Sequence, residues 1–271
     1  MGEISGFMIL DKPVGFTSRA IVDEVKKLLG AKTAGHIGTL DPNATGVLPI
    51  LLGRATRIAP ALERMDKEYI ATVHLHADIG EAEVRKALQN FVGKIKQIPP
   101  VKSAVVRRER VREVYSVEVL FFEGKDVTLR IKCEAGTYIR KLASDLGLKI
   151  GGAHLKALRR TRAGPFDEKQ AHTLEELRIA VSELESEDEE EPLANILLPV
   201  EKAVEHLPHV VVDDAIVSLI LNGSPIRSGI VKTSGKIQNG ALIAVLSMKG
   251  ELLALGRGGS PIKIDRVISK K

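Results

Sequence analysis

Two alternating runs face one another across a four-residue turn, and this pattern limits what the chain can become. Tyr115, Val117, Val119 and Phe121 alternate along the first run. Glu123-Gly124-Lys125-Asp126 reads as a turn, and Val127, Leu129, Ile131 and Cys133 alternate back. A period of two sends successive side chains to opposite faces, so each run reads as a half-buried strand and the pair as an antiparallel hairpin. Tyr69, Ala71, Val73 and Leu75 form a third such run earlier in the chain.

Helical stretches separate these strands. Thr17 or Ser18 is placed to cap a helix that carries Ile21, Val22, Val25, Leu28 and Leu29 on one face and stops at Gly30. Residues 81–91 repeat at helical spacing, and Gly136-Thr137 opens a helix with Ile139, Leu142, Ala143 and Leu146 inward. Thr173-Leu174-Glu175-Glu176 has the form of a capping box. Residues 6–10 and 47–52 are apolar runs expected to be strands, and a short strand is expected over 154–158. From about Glu205 the texture changes to short strands between turn signals such as Asn239-Gly240 and Lys249-Gly250, with one helix, Asp214–Leu221, capped by Asp213. The expected organisation is a mixed α+β body over residues 1–204 and a small β-barrel module over 205–271.

Charge sharpens this picture. The formal net charge is +5, yet seven acids lie within residues 182–192; setting them aside leaves 40 basic residues against 28 acids, or +12. The acidic run reads as a solvated loop, and the basic remainder suits a polyanion, nucleic acid first. No apolar run approaches the ~18 residues of a membrane span, and Met1-Gly2-Glu3-Ile4-Ser5-Gly6 lacks a signal-peptide layout. A single cysteine, Cys133, allows neither an internal disulfide nor a Cys-rich zinc site. An intracellular, cytoplasmic protein is expected. Phosphate-binding, dinucleotide-binding, zinc-protease and serine-hydrolase motifs do not occur in the sequence, which leaves a reaction without cofactor.

Gly35-His36-Ile37-Gly38-Thr39-Leu40-Asp41-Pro42 is the most unusual segment. Asp-Pro commonly initiates a turn; a carboxylate on a rigid loop also serves as nucleophile or base when a cation keeps it ionised. Arg140, early in its helix, is either a solvated charge or the partner of an anion. Tyr69 is a core aromatic or, in a chain with nine aromatic residues, a scarce stacking surface. Lys94, Lys96, Lys102, Arg107, Arg108, Arg110 and Arg112 form one basic cluster, and Lys156, Arg159, Arg160 and Arg162 another. Each reads as a solvated face or as a contact for phosphates. His74 and His76 share a strand face, but no further ligand at suitable spacing supports a metal site.

The segments LDKPVGFTS, GHIGTLDPNATG, KEY at 67–69, GTYIRKLASDLG and GAHLKALRRTRAGPF resemble the TruB-type pseudouridine synthases. IPPVKSAVVRRERVREVY and HLHADIGEAEVRKALQNFVG resemble their dyskerin-like branch, the catalytic subunit of H/ACA guide-RNA particles, and the tail resembles a PUA RNA-binding domain. The resemblance implies an α+β pseudouridine synthase fold, with a largely antiparallel mixed sheet, flanking helices and a PUA barrel. It implies isomerisation of uridine in ribosomal RNA without cofactor or metal. Carried over by position, Asp41 would act on the ribose of the flipped nucleotide and Arg140 would pair with it in a dry pocket. Tyr69 would stack on the uracil and help remove the C5 proton. His36 would hold the nucleotide out of the stack, Leu158 would form an apolar wall, and Lys12, grouped with the substrate-binding residues, would support the site with Pro13. Arg107, Arg108, Arg110, Lys156, Arg159 and Arg160 are expected to bind RNA. Implied partners are guide RNA, substrate RNA and small protein subunits, including a kink-turn-binding protein, in the cytoplasm or, in a eukaryote, the nucleolus. Two departures stand out: Ile37 lies where Ser or Thr is common, and LDKP begins at Leu10 without the branch's N-terminal extension. The alternatives are a standalone transfer-RNA enzyme and a non-catalytic RNA-binding scaffold.

Overall fold

The structure, a computed structural model, describes residues 4–99, 106–187 and 191–269. Lys102, Asp188, Glu189 and Glu190 lie outside the described residues. In chain order the body comprises β1 (Gly6–Lys12), α1 (Ser18–Leu28), β2 (Ala34–His36), β3 (Ala44–Leu52), α2 (Ala59–Leu62), β4 (Lys67–Leu75), α3 (Glu81–Gln89), β5 (Gly93–Gln97), β6 (Arg110–Glu123) and β7 (Asp126–Cys133). It continues through α4 (Ile139–Lys149), β8 (Ala153–Ala163), β9 (Phe166–Asp167), α5 (Leu174–Glu187), α6 (Glu191–Ile196) and α7 (Val200–Val204). The tail adds β10 (His209–Val212), α8 (Asp214–Leu221), β11 (Ile230–Ser234), β12 (Leu242–Leu246), β13 (Leu252–Arg257) and β14 (Lys263–Val267).

The body sheet runs β1-β3-β8-β4-β7-β6-β5, with β2 beside β3 and β9 beside β8. All its described pairings are antiparallel except one: β3 and β8 run parallel through Ala44↔Leu158, Thr45↔Arg159 and Gly46↔Arg160. β1 is buried on both faces, which is why it reads as an unbroken apolar run. Met8 and Leu10 enter the core with α1 and α4, whereas Phe7 and Ile9 face a second cluster that also takes in Ala244, Leu252 and Leu255 of the tail. The tail is therefore packed onto the body and also holds a small core of its own under α8. Its strand path is β11-β10-β12-β13-β14, and the two end strands are not paired with each other among the described residues.

Local signals in the sequence explain several boundaries. Thr17 caps α1, its hydroxyl oxygen accepting from the Ala20 amide at 3.0 Å. Thr173 and Glu176 form the reciprocal capping box before α5, and Asp213 caps α8. Three expectations need correction. Tyr115 and Phe121 are 44% and 69% exposed, not inward-facing, because the β6–β7 register shifts between Val114 and Ser116 and again between Val119 and Phe121. Each shift is a bulge that moves the alternation by one residue. β8 extends through Ala163, so the second basic cluster lies on a strand. The acidic run is not a loop as far as it is described: α5 continues through Glu187 and α6 starts at Glu191. Buried Leu177 and Ala180 anchor α5 to the core, and glutamate is a good helix former.

The parallel contact between β3 and β8 requires a glycine. Gly46 has φ +100°, and a Cβ there would overlap the Arg160 carbonyl oxygen. We expect Gly46→Ala to cost about 3 kcal/mol in urea unfolding. Gly124→Ala, at φ +55° with open space around it, should cost about 1 kcal/mol.

Candidate active site

One edge of β3 is shared by two strands. β2 pairs with its Ile50–Leu52 end (His36↔Ile50) and β8 with its Ala44–Gly46 end, and the loop carrying Asp41 spans the interval. That loop is fixed from several sides. The Ile37 amide donates to the Pro49 carbonyl at 2.9 Å. Ser18, buried at the start of α1, accepts from the Leu40 amide at 2.8 Å and donates to the Leu40 carbonyl at 3.0 Å. The Lys12 ammonium donates to the carbonyls of Pro13, Phe16 and Pro42 at 2.8, 2.7 and 3.3 Å, and the Gly15 amide adds a further bond to Pro42. Lys12 is fully buried. It meets three carbonyls from beneath the loop, so its place is that of a support, as the family pattern implies for the segment, and no substrate surface is left to it. Burial pulls its pKa down, against the attraction of Asp41.

Arg140, the second residue of α4, reaches across to hydrogen-bond the Asp41 carboxylate through Nη2 and Oδ2. The start of α4 is held by a buried glutamine. Gln97 donates from Nε2 to the Tyr138 carbonyl at 3.1 Å and accepts at Oε1 from the Tyr138 amide at 3.0 Å. The pair opens onto a cavity of about 490 Å³, whose wall includes Asn43 and Ala44 of β3's approach and Leu155, Lys156, Ala157 and Leu158 of β8. Leu158 is among the residues that line this cavity. Asp41 and Arg140 are 50% and 47% exposed at their side chains, so the pocket is open and not the dry enclosure anticipated.

A group of buried polar side chains lies along β4 and β8, outside the cavity lining. Tyr69 on β4 is 9% exposed and pairs in register with Arg160 on β8. Arg160 is 1% exposed, donates from Nε to the Val47 carbonyl at 2.7 Å, and has Tyr69 as its cross-strand neighbour. The β3–β8 register ends at Gly46, so the guanidinium meets the Val47 carbonyl just beyond the last residue paired with β8. Burial raises the Tyr69 pKa, and the Arg160 charge works against that rise. Burial and then the same charge push Lys67 down to about 8; its ammonium rests on the carbonyls of Glu63 and Met65. His36 is lowered by burial, then by Arg160 and Arg19, and its Nε2 lies 3.0 Å from the Thr39 hydroxyl.

These positions correct two of the residues expected to bind RNA. Arg160 is inside the protein. Arg159 forms a two-pronged pair with Asp11 at 2.9 and 2.7 Å and meets Glu168 at 2.9 Å, which raises its pKa and commits its guanidinium to β1. Lys156 lines the cavity while holding Asp126 at 2.5 Å. Arg107 and Arg108 are exposed and Arg110 half-buried at the start of β6, away from any cavity-lining residue in sequence. His74 and His76 are joined by His154, whose Nδ1 is 2.8 Å from His76 Nε2, while His74 bonds to Asp126. No group of three such side chains among the described residues has metal-holding geometry. Sequence reading missed Gln97, Ser18 and the burial of Arg160. The glycines at 38 and 46, both at positive φ and both against Arg160, are the available hint of a bulky group packed beneath that loop.

A carboxylate on a rigid loop, oriented by a guanidinium at the mouth of a cavity of small-molecule size, is equipped for acid, base or nucleophilic work. Comparison with known proteins narrows this. Residues 26–80 and 76–139 match the model of the TruB family pseudouridylate synthase N-terminal domain, and 140–205 match the tRNA pseudouridylate synthase B C-terminal domain. The chain is 45% identical over 255 residues to a protein of Methanopyrus kandleri named "Probable tRNA pseudouridine synthase B", covering 93% of this chain and 75% of the relative. A Pyrococcus furiosus protein of the same name is 46% identical over 255 residues, with 93% and 75% covered. Among solved structures, a Cbf5-Nop10-Gar1 complex matches at TM-score 0.89 and 42% identity over 98% of this chain and 85% of that one. An H/ACA RNP bound to a substrate RNA containing 2'-deoxyuridine matches at TM-score 0.88 and 40% identity over 97% and 85%.

The buried cations beneath the loop leave a signature in pH-dependent stability. With a folded pKa of about 8 against 10.5, Lys67 binds fewer protons folded than unfolded between those values, so stability rises with pH there. Below pH 8 the penalty is present in full. Urea unfolding of the parent and of Lys67→Met at pH 7.5, 9 and 10.5 should show the parent gaining on the variant, by roughly 3 kcal/mol across the window.

Proposed function

The chain belongs to the TruB family of pseudouridine synthases, and we propose from that premise that Asp41, held by Arg140, drives isomerisation of a uridine delivered by an H/ACA guide RNA. The observation that carries this reading is the Asp41–Arg140 pair at the mouth of a cavity walled by Leu158. Conversion to pseudouridine breaks the C1′–N1 bond, turns the base and rejoins it through C5. None of this fits inside a stacked helix, so the nucleotide is flipped into the cavity. Asp41 acts on the ribose and Arg140 keeps the carboxylate ionised and aimed. Tyr69 meets the base and assists removal of the C5 proton. His36, neutral near pH 7 because burial and two arginines lower its pKa, fills the place of the extruded nucleotide.

The likeness to proteins described in a Cbf5-Nop10-Gar1 complex and an H/ACA RNP, at 40–42% identity along nearly the whole chain, supports guide-directed work on ribosomal RNA with small protein partners. A kink-turn-binding protein belongs to the same proposal. Arg107, Arg108, Arg110 and Lys156 are the basic residues assigned to RNA, and residues 205–271 form the PUA-like RNA-binding module. The compartment is the cytoplasm, or the nucleolus in a eukaryotic cell; no helix among the described residues is long and apolar enough to cross a membrane. The printed names of the relatives favour a second reading, a transfer-RNA enzyme acting without a guide.

Pseudouridine mapping separates these. The protein with guide RNA and partners should modify a matched target uridine, and Asp41→Asn should abolish the product while RNA affinity stays within about threefold. Equal loss of binding and turnover would remove Asp41 from the chemistry. Modification of a transfer-RNA transcript by the protein alone, with no activity on the guided target, would favour the second reading.

A further inference from the structure

Arg160 is a buried charge near the site that the proposed reaction does not account for, and unlike Lys12 and Lys67 it has a single carbonyl partner. It is 1% exposed, and no carboxylate lies within ion-pair distance of it among the described residues. Nε is used by the Val47 carbonyl, while Nη2 is buried without a hydrogen-bond partner. Nη1 points toward Gly38, where a Cβ would stand 3.0 Å from it. The neighbours add to the imbalance: Lys67 and His36 both have their charged forms disfavoured by this guanidinium. A buried, uncompensated cation is expensive, and an apolar side chain of similar volume would usually serve packing as well or better. A surface role does not explain the residue either, since solvent does not reach it. What stands beside Arg160 across the strand pair is Tyr69, its register partner on β4.

We propose that Arg160 is a positioning residue that acts on the isomerisation through Tyr69, holding the phenol from beneath with a guanidinium that has no other counter-charge. The inference rests on the reading of Tyr69 as a site residue. Two geometric features give it force. The register of β4 against β8 sets Tyr69 beside Arg160, and the β3 edge left open between β8 and β2 gives the guanidinium a carbonyl to brace against. Gly38 leaves the guanidinium the room it needs, while Gly46 admits the Arg160 backbone. Electrostatics agrees in direction. Burial makes the Tyr69 hydroxyl hold its proton more tightly, and the guanidinium opposes this, so negative charge on the phenol oxygen costs less than it would in an apolar pocket. A tyrosine that meets the base at C5 benefits from that adjustment, and also from being unable to rotate away.

The composition makes a direct test practical. The chain has three tyrosines and no tryptophan, so Tyr115→Phe with Tyr138→Phe leaves Tyr69 as the only phenol. Its ionisation is then read by absorbance near 295 nm in folded protein. Adding Arg160→Met should move the titration to higher pH by about one unit or more, and Arg160→Lys should restore part of the shift. An unmoved titration, or a Tyr69 that does not ionise in the parent before unfolding, overturns the inference. In parallel, single-turnover pseudouridine formation and RNA affinity are measured for Arg160→Met, Tyr69→Phe and the double variant in the otherwise unaltered protein with its guide RNA and partners. The expected result is a loss of tenfold or more in rate for Arg160→Met, with RNA affinity within twofold and little further loss once Tyr69 is Phe. Losses that multiply in the double variant, or that follow the melting temperature, assign Arg160 a structural role only. A Tyr69→Phe protein at full speed overturns the site reading of Tyr69 and this inference with it. An Asp41→Asn protein that retains turnover overturns the wider reading while the titration result stands on its own.

Discussion

β8 is bound in opposite senses on its two edges, and the site depends on that arrangement. Along one edge it runs parallel to β3 for three residues, and along the other antiparallel to β4 for most of its length. The parallel contact is short because β2 takes over the β3 edge from Ile50 onward. The interval between them is where the Asp41 loop crosses, and the strand's backbone groups there are met by side chains and loop amides instead of by another strand. Val47 takes the Arg160 guanidinium, and Pro49 takes the Ile37 amide. A gap in a ladder normally leaves buried polar groups unsatisfied. Here the same gap that needs filling is what brings the loop, the cavity wall at Leu158 and the buried arginine to one place.

The charges around that gap follow one rule: buried cations rest on carbonyl oxygens. Lys12 has three such partners, Lys67 two and Arg160 one, while the Asp41 carboxylate pairs instead with half-exposed Arg140. Carbonyl dipoles compensate a cation only in part, so the interior behind the site is electropositive. Such an interior is costly for folding, as the depressed Lys67 shows, and it favours any negative charge that arrives or develops at the cavity. The acids are concentrated elsewhere, in α5 and the residues that follow it. The net charge of +5 therefore averages an acidic segment with a basic remainder.

Much of this was legible in the sequence, and the boundary between what was and what was not has physical causes. The alternation in β4, the caps Thr17 and Asp213 and the Thr173–Glu176 box are local signals, set by neighbours within four residues, and each appears where the residues indicate. The Asp41–Arg140 pair spans 99 residues; the family pattern supplied it, and residue spacing alone left both residues open to blander roles. The inward face of β6 was misjudged because bulges interrupt the period without changing composition. Arg159 and Arg160 sat in an acid-free basic run and looked alike. Their fates differ because adjacent residues on a strand face opposite ways: one turns to Asp11 and Glu168, the other to Tyr69 and Val47. Gln97 gave no signal at all, since its partner is a backbone 41 residues away.

The half-exposure of Asp41 and Arg140 bears on how the reaction is enclosed. In high dielectric the attraction between the two charges is weak, and water competes for both. On the proposed reading, chemistry at the ribose needs water displaced from around the carboxylate. Among the described residues Leu155 to Leu158 build one wall of the cavity, and the mouth at Asp41 and Arg140 is left open. On the proposed reading a flipped nucleotide with the strand it comes from closes that mouth, and its arrival strengthens the Asp41–Arg140 pair. Binding energy from contacts remote from the reacting bond then serves to dry the site. On this view the rigid part of catalysis is built into the β3–β8–β4 joint, and the low-dielectric part is completed only when RNA is seated.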